Sequence, residues 1–185
     1  MVIYIMRHGE TVWNRKGIVQ GRSKNRLSQC GKEQVAHQSE SLKNIKLDAI
    51  FSSPLFRTIQ SANIINKYHN LKIIRDDRLI EIDQGIFTGR VKSTLTEEEK
   101  KIKDSKPAGY GLETYDEIIA RASDFISFLK ANYRDKMVLV VTHRCIAKTL
   151  YSLLTCSKTL KNDITYDKIF NNAEIKKVEI NWQKK

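Results

Sequence analysis

Two short apolar runs, each leading into a histidine, constrain the fold of this chain more than any other feature. Residues 2–6 read Val-Ile-Tyr-Ile-Met and are followed at once by Arg7 and His8. Residues 137–141 read Met-Val-Leu-Val-Val and are followed, after one threonine, by His143. Short runs without charge are typical of strands buried on both faces of a parallel sheet. Parallel strands end at one edge, where open α/β sheets bind ligands, so the two histidines are predicted to share one site.

Strand patterns alternate with helix patterns along the chain, which predicts an α/β fold with a mainly parallel central sheet covered on both faces. The runs that predict strands lie at 2–6, 47–51, 71–74, 137–141 and 178–182. Helices are predicted over 31–45, from Pro54 with Ser53 as its cap, and from Thr114, which opens a capping box. No repeat or linker divides the sequence, so we expect a single domain over 1–185.

The chain is strongly basic, with 33 Lys and Arg against 21 Asp and Glu and a formal net charge of +12. Such a balance suits either nucleic acid or an anionic small molecule. The lysines are scattered, Ile and Asn are also frequent, and no RNA-binding aromatic motif accompanies them. Compositional bias of the coding genome therefore explains the charge better, and we expect no nucleic-acid partner.

Cysteine usage and hydropathy indicate a cytoplasmic protein. The three cysteines, Cys30, Cys145 and Cys156, are odd in number and form no Cys-x-x-Cys pair, which argues against a disulfide framework and a zinc site. No apolar run reaches 18 residues, and the N-terminus lacks the charged and apolar regions of a signal peptide. We therefore expect no membrane association.

Charged residues elsewhere in the chain point to an anion pocket. Arg57 falls in the first turn of a predicted helix, where a cation is unfavourable unless an anion lies between it and the helix end. Arginine binds phosphate with a planar fork, and neutral imidazole can attack phosphorus. The two histidines with Glu81 would also meet the minimal ligand count of a metal site. Flanking arginines would repel a cation, so an anion site is favoured, formed by Arg7, His8, Arg57, Glu81 and His143.

Two loops are expected around this pocket. The segment 88–113 is charged and glycine-bearing, which predicts a partly helical excursion that covers the pocket as a lid and sets specificity. The basic loop 11–26 starts beside His8, and part of it is expected to line the site. Its charge suggests an acidic substrate, such as a sugar phosphate, a phosphoglycerate-like acid or a nucleotide-derived phosphate.

An ordered set of motifs resembles the histidine phosphatase superfamily, also called phosphoglycerate-mutase-like. The signature starts with Arg-His-Gly-Glu-Thr at 7–11 and covers nearly the whole chain. Its further matches, in order, are Trp13-Asn14, Gln20-Gly21, Leu27-Ser28 before Gly31, Ser52-Ser53-Pro54-Leu55 with Arg57, Leu79 with Glu81, Gly85 and Gly89, Val140-Val141-Thr142-His143, and Asn172. The first motif alone is fairly specific, and the ordered set is strongly so.

The resemblance implies a three-layer α/β/α sandwich and an enzyme that needs neither a metal nor another cofactor. It implies that His8 becomes phosphorylated on one ring nitrogen and that Glu81 donates and later accepts a proton. The residues implied to hold the phosphoryl oxygens are Arg7, Arg57 and His143, and those implied to touch the phosphate or line the pocket are Asn14, Gln20 and Gly21.

The chain also departs from the family pattern. Arg144 stands where glycine usually follows the second histidine, and its side chain would either clash or add a substrate contact. Leu112 interrupts a Gly-Glu pair, so Glu113 matches only weakly. Asn25 and Phe87 stand where aspartate and tryptophan are frequent. These changes affect the identity of the substrate more than the chemistry, because no catalytic group is replaced.

The short segment between Glu81 and His143 resembles the phosphatase branch and predicts a phosphomonoester hydrolase acting on a small acidic phosphorylated metabolite. Two alternatives stay open. One is phosphoglycerate mutase-type transfer to a second substrate oxygen, and the other is a phospholigand-binding module in which Arg144 blocks turnover. The substrate and the oligomeric state, a homodimer included, are also left open.

Overall fold

A computed structural model describes residues 1–155 and 170–182. The strands of its central sheet are β1 (Val2–Arg7), β2 (Ala49–Ser52), β3 (Ile73–Arg75), β4 (Met137–Thr142) and β5 (Ile175–Glu179). They lie in the order β3-β2-β4-β1-β5. Strands β1 to β4 run parallel, and β5 lies antiparallel along β1. The predicted mainly parallel sheet is therefore confirmed.

Helices cover both faces of the sheet. They are α1 (Val12–Arg15), α2 (Gln29–Leu42), α3 (Phe56–Asn66), α4 (Glu97–Ser105), α5 (Tyr115–Asn132) and α6 (Arg144–Thr155). Ile3 and Ile5 of β1 pack with buried residues of α5 and α6, whereas Tyr4 and Met6 pack with buried residues of α2 and α3. Both faces of β1 are thus apolar because each faces a helical layer. The three-layer α/β/α architecture is confirmed.

Pairing of β1 with β4 sets the position of the two histidines. Arg7 is the register partner of Thr142 at the carboxyl ends of the two strands. The backbone N–H of His8 donates to the carbonyl of Thr142 at 3.0 Å, which extends the pairing by one residue. His8 and His143 consequently leave the sheet at the same edge, as predicted from the two apolar runs.

The predicted start of the helix after β2 is wrong. Helix α3 begins at Phe56, two residues after Pro54, and its cap position is Leu55, whose side chain makes no capping bond. The backbone N–H of Ser53 still donates to a β4 carbonyl at 3.1 Å, so Ser53 extends the sheet and does not cap the helix. Its hydroxyl instead lies beside the ring of His143.

Other differences from the sequence predictions are small. The segment 88–113 is partly helical, as predicted, and holds α4 and a short 3-10 turn at Lys92–Thr94. Thr114 caps α5 in a complete capping box. The loop 11–26 contains the four-residue helix α1, which the loop interpretation missed. Within the described parts of the chain, no helix combines the length and the apolar character needed to cross a bilayer.

The turn after His8 packs closely against the first turn of α2. A Cβ built on Gly31 would lie 2.0 Å from the carbonyl oxygen of Glu10, and a Cβ on Gly9 would lie 2.3 Å from the carbonyl oxygen of Gly31. These neighbours are backbone atoms, which cannot move aside as the end of a side chain can. Glycine at both positions therefore allows α2 to support the turn that carries His8.

Gly31→Ala is expected to lower the free energy of unfolding by about 1–3 kcal/mol, because the backbone of the turn must move. Helix propensity alone predicts the opposite sign, a gain of roughly 0.5–1 kcal/mol for this change. Ser41→Ala, at an exposed position of the same helix, is the matched control. Urea unfolding of both variants measures the difference, and a gain for Gly31→Ala would contradict the close contact.

Candidate active site

A cavity of about 350 Å³ opens beside the carboxyl ends of β1 and β4. It brings together eight of the nine residues predicted for the site, namely Arg7, His8, Asn14, Gln20, Gly21, Arg57, Glu81 and Arg144. The ninth, His143, does not line the cavity and is fully buried next to His8. The predicted residues therefore converge, although they come from positions throughout the chain.

The two ring nitrogens of His8 have different surroundings. Nδ1 lies 2.6 Å from the carbonyl oxygen of Gly9, which can only accept, so Nδ1 carries the proton. Nε2 therefore keeps its lone pair. Burial, followed by the positive charges of Arg57 and Arg7, lowers the pKa of His8 well below its usual value, so the ring is neutral near pH 7. A neutral imidazole in this tautomer is a nucleophile at Nε2.

Arg57 lies in the first turn of α3, as expected, and its guanidinium is held by backbone carbonyls. Nη1 donates to the carbonyl of Ser23 and Nη2 to that of Gly21, each at 2.8 Å. Nε donates to Nδ1 of His143 at 3.2 Å. Burial lowers the pKa of Arg57 to about 10, so the group is still cationic near neutral pH. The fold thus fixes a buried positive charge without neutralising it by a direct ion pair.

The contacts of His143 determine its tautomer. Arg57 can only donate, so Nδ1 of His143 accepts and Nε2 carries the proton. Nε2 donates to Oγ of Ser53 at 2.8 Å. Burial and then the charge of Arg57 lower the pKa of His143 well below its usual value. The centroids of the His143 and His8 rings are 5.3 Å apart in an edge-to-face arrangement, so two neutral imidazoles with opposite tautomers lie side by side.

Glu81 lies in the cavity wall, and its position depends on the end of β4. The hydroxyl of Thr142 donates to the carbonyl of Leu79 at 2.7 Å, and the backbone N–H of Ile82 donates to Oε1 of Glu81 at 3.0 Å. Removal from water raises the pKa of Glu81, and the opposing charge of Arg57 does not fully offset this. A carboxyl with a raised pKa is suited to proton transfer near neutral pH.

Arg7 and His8 are held by residues more than 160 positions later in the chain. Nη1 of Arg7 donates to the carbonyl of Phe170 at 3.0 Å. The carbonyl of His8 accepts from the backbone N–H of Ala173 at 3.1 Å and from the side-chain amide of Asn172 at 3.3 Å. Nε of Arg7 is buried and has no hydrogen-bond partner among residues 1–155 and 170–182. A buried donor of this kind beside His8 is suited to an oxygen atom of an anion.

The loop 11–26 supplies three of the predicted site residues that line the cavity. Oδ1 of Asn14 accepts from the backbone N–H of Thr11 at 3.1 Å, which directs the acceptor of this amide into the loop. The hydroxyl of Thr11 also lies 3.0 Å from Oε1 of Gln20. Gly21 acts through its backbone, since its carbonyl holds Arg57. The side-chain oxygens of Asn14 and Gln20 are therefore engaged within the loop, which leaves their amide nitrogens as donors available to a ligand.

Glu113, which matched only weakly in the sequence, joins the end of the segment 88–113 to the backbone just after Glu81. Its Oε1 accepts from Nε of Arg121 at 2.6 Å, and its Oε2 accepts from the backbone N–H of Asp83 at 3.2 Å. Arg22 donates both to Oε2 of Glu113 and to the carbonyl of Glu81, each at 3.3 Å. This network, which only the folded chain shows, links the backbone at Glu81 and Asp83 to Arg121 of α5.

The cavity carries far more positive than negative charge. Its basic residues are Arg7, Arg57, Lys92, Lys103, Lys106 and Arg144, and its acidic residues are Glu81 and Asp104. The sequence alone does not single out Lys92, Lys103, Lys106 and Asp104, because no motif distinguishes them among the many charges of the segment 88–113. No group of three or more His, Cys, Asp or Glu in the described residues is arranged to hold a metal ion. The charge of the cavity favours an anionic ligand.

The chain matches the sequence model of the histidine phosphatase superfamily (branch 1) over residues 3–185. It is 30% identical over 158 residues to phosphoserine phosphatase 1 of Hydrogenobacter thermophilus, covering 82% of this chain and 75% of that protein. It is 39% identical over 111 residues to a probable phosphoglycerate mutase, GpmB, of Proteus mirabilis, covering 58% and 52% of the two chains. The solved structure of Bacillus stearothermophilus YhfR is similar with a TM-score of 0.86 at 23% identity, covering 98% of this chain and 92% of that one. At that identity the likeness shows the fold.

Glu81→Gln is expected to raise the free energy of unfolding above about pH 4.5, the ordinary pKa of a glutamate. The raised pKa means that the folded native chain keeps a proton that the unfolded chain releases, so its stability falls as pH rises through this window, by at most about 1.4 kcal/mol per pH unit. Glu81→Gln does not lose stability in this way. The difference in free energy of unfolding between Glu81→Gln and the native chain therefore grows with pH, until the carboxyl of Glu81 has ionised in the folded state.

Urea unfolding at pH 5 and at pH 8 measures this effect. Glu98→Gln, at an exposed position of α4, is the matched control. If Glu81→Gln raises the free energy of unfolding by the same amount at both pH values, the carboxyl of Glu81 does not retain its proton in the folded state.

Proposed function

The chain belongs to the histidine phosphatase superfamily, and on that premise we propose that it hydrolyses phosphomonoesters through a phosphohistidine on His8, without a metal ion. The observation that carries the proposal is the hydrogen bond between Nδ1 of His8 and the carbonyl of Gly9. It leaves Nε2 as an unprotonated nucleophile beside a cavity with an excess of basic residues.

In the first step, Nε2 of His8 attacks phosphorus, and the bond between phosphorus and the ester oxygen breaks as the N–P bond forms. Glu81 gives its proton to the leaving oxygen, which departs as an alcohol. The raised pKa of Glu81 supports this role, because a share of the carboxyl stays protonated at a pH where an exposed glutamate would be ionised. Such proton transfer accelerates a reaction by a factor of about 10²–10⁴.

In this proposal Arg7 and Arg57 hold the phosphoryl oxygens, and His143 positions Arg57. Nε of Arg7 is a buried donor, and the guanidinium of Arg57 is already fixed by two carbonyls. His143 does not line the cavity and donates its Nε2 proton to Ser53, so we assign it the positioning of Arg57, whose Nε donates to its Nδ1. Donors that are held before the reaction need little reorganisation as charge develops on the oxygens, which is how such groups lower a barrier.

In the second step, water attacks the phosphorus atom, and the bond to Nε2 of His8 breaks. Glu81, now a carboxylate, accepts the proton of that water. Inorganic phosphate leaves, and both residues return to their starting protonation states. The basic residues supply the positive charge in both steps, so the scheme requires no metal ion.

We further propose that the substrate is a small acidic phosphorylated metabolite. A cavity of about 350 Å³ is of the size that small metabolites occupy. Arg144 lies in its wall and leaves the cavity open, which supports a substrate contact for this residue. Mutase-type transfer differs only in the acceptor, a second substrate oxygen in place of water. Hydrolysis is favoured because the phosphatase relative covers four-fifths of this chain, against 58% for the mutase-named one.

His8→Ala is expected to reduce phosphate release from phosphomonoesters by about 10³-fold or more, because the nucleophile is lost. The assay is run with a chelator present, and inorganic phosphate is measured beside any isomerised ester. His37→Ala, at an exposed histidine of α2, is the matched control. Free phosphate from the native chain together with an acid-labile phosphoenzyme supports hydrolysis. Isomerised ester without free phosphate would establish the mutase alternative.

Arg144→Gly is expected to lower kcat/KM for acidic phosphomonoesters by about tenfold, mainly through KM, because it removes a charged contact. Arg144→Lys keeps the charge and is the matched control, with a smaller loss expected. A gain of activity in Arg144→Gly would instead show that this side chain blocks turnover, as the binding-module alternative requires.

A further inference from the structure

Lys106, which follows α4, is the least expected cation of the cavity. Its side chain is only 5% exposed, it lines the cavity, and its Nζ has no hydrogen-bond partner among the described residues. Lysine normally keeps its ammonium in water even when its methylene groups are buried. An ammonium group that is buried without a partner is destabilising unless a ligand supplies the missing acceptor.

The local backbone holds Lys106 in this position. Lys106 has a positive φ of 49° in the left-handed region, where glycine is the usual residue at the end of a helix. Its backbone N–H donates to the carbonyl of Ile102 at 3.0 Å, which closes the last turn of α4. The side chain is therefore directed by a fixed turn, and a lysine is present where glycine would be less strained.

Among the residues that the structure describes, no neighbour accounts for the ammonium of Lys106. Asp104, in the same wall, forms an ion pair with Lys103. The ring of Tyr115 lies 6.0 Å from Nζ of Lys106, at the outer limit of a cation–π contact. Glu81 is the proposed proton donor, and Lys92 adds further positive charge to the same cavity. Burial lowers the pKa of Lys106, as expected for a cation without a partner.

We propose that Lys106 binds a second anionic group of the substrate, a carboxylate or a second phosphate, while His8 and the arginines bind the phosphoryl group that reacts. The inference rests on the proposed function and adds the recognising residue and the class of substrate. It explains why the lid segment contributes lysines to a cavity whose catalytic cations come from β1 and α3. A compact anion can accept from Nζ, which removes the cost of the buried ammonium.

Three esters of the same three-carbon skeleton test this inference. Glycerol 3-phosphate has no second anionic group, 3-phosphoglycerate has a carboxylate, and glycerol 1,3-bisphosphate has a second phosphate. The measured quantity is the kcat/KM of each acidic ester divided by that of glycerol 3-phosphate. The native chain is expected to favour at least one acidic ester by about tenfold or more, and the larger ratio identifies the group.

Lys106→Gly and Lys106→Met are expected to reduce the ratio of kcat/KM for the acidic ester to that for glycerol 3-phosphate by about tenfold. The loss should come mainly from a higher KM for the acidic ester. Glycine suits the positive φ at this position, so Lys106→Gly stays folded even if Lys106→Met does not. Lys101→Met, at an exposed position of α4 outside the cavity, is the matched control and should keep the native ratio. A ratio near one in the native chain, or an unchanged ratio in both Lys106 variants, would overturn the inference.

Calorimetric binding of the same esters separates this inference from the proposed function. If the native chain releases no phosphate from any ester, the proposed function fails, while selective binding of an acidic ester by the native chain and not by Lys106→Gly still supports the subsite. If the native chain hydrolyses the esters but prefers no acidic ester in rate or in binding, the proposed function is supported and Lys106 is excluded as the residue that recognises the substrate.

Discussion

The parallel pairing of β1 with β4 is the interaction on which the rest of the site depends. Because both strands are buried on both faces, a change of one residue in register would move apolar side chains away from the layers they pack against. The same register brings His8 to the carbonyl of Thr142 and His143 to the next position. The hydroxyl of Thr142 extends the pairing to the turn before Glu81. The paired ends of β1 and β4 therefore determine the positions of His8, His143 and Glu81.

Within the described residues, backbone carbonyls and no direct ion pair hold Arg7 and Arg57, so both arginines keep their positive charge in the site. Arg57 is fixed by two carbonyls and Arg7 by a third. A bonded carboxylate would satisfy a guanidinium equally well, but it would also compete with a phosphoryl group for the same donors. Arg78 and Arg121, which pair with Asp76 and Glu113, do not line the cavity. Burial of an unneutralised cation is costly, and the apolar layers around β1 supply the stability that offsets it.

Sequence patterns predict the parts of this fold that depend on local chemistry. The apolar runs predict β1 and β4, and the ends of these runs predict that His8 and His143 share one edge of the sheet. The capping box predicts that a helix follows Thr114, where α5 begins. The wrong helix start at Pro54 has a long-range cause, since the pairing of Ser53 with β4 delays α3. For a similar reason, Glu113 matches the family pattern only weakly and Lys106 does not stand out in the sequence. Their roles depend on partners, or on the lack of one, that exist only after the segment 88–113 has folded against the cavity.

The bonds from Phe170, Asn172 and Ala173 to Arg7 and His8 join the first strand to a segment near the end of the described residues. These partners are synthesised about 160 residues after the strand they hold. A chain still on the ribosome would have β1 and β4 available for pairing, but the carbonyl of His8 would lack both of its donors and Arg7 would lack its acceptor. During synthesis, β1 can therefore pair with β4 before residues 170–173 leave the exit tunnel, and the turn that carries His8 gains these last backbone bonds only afterwards.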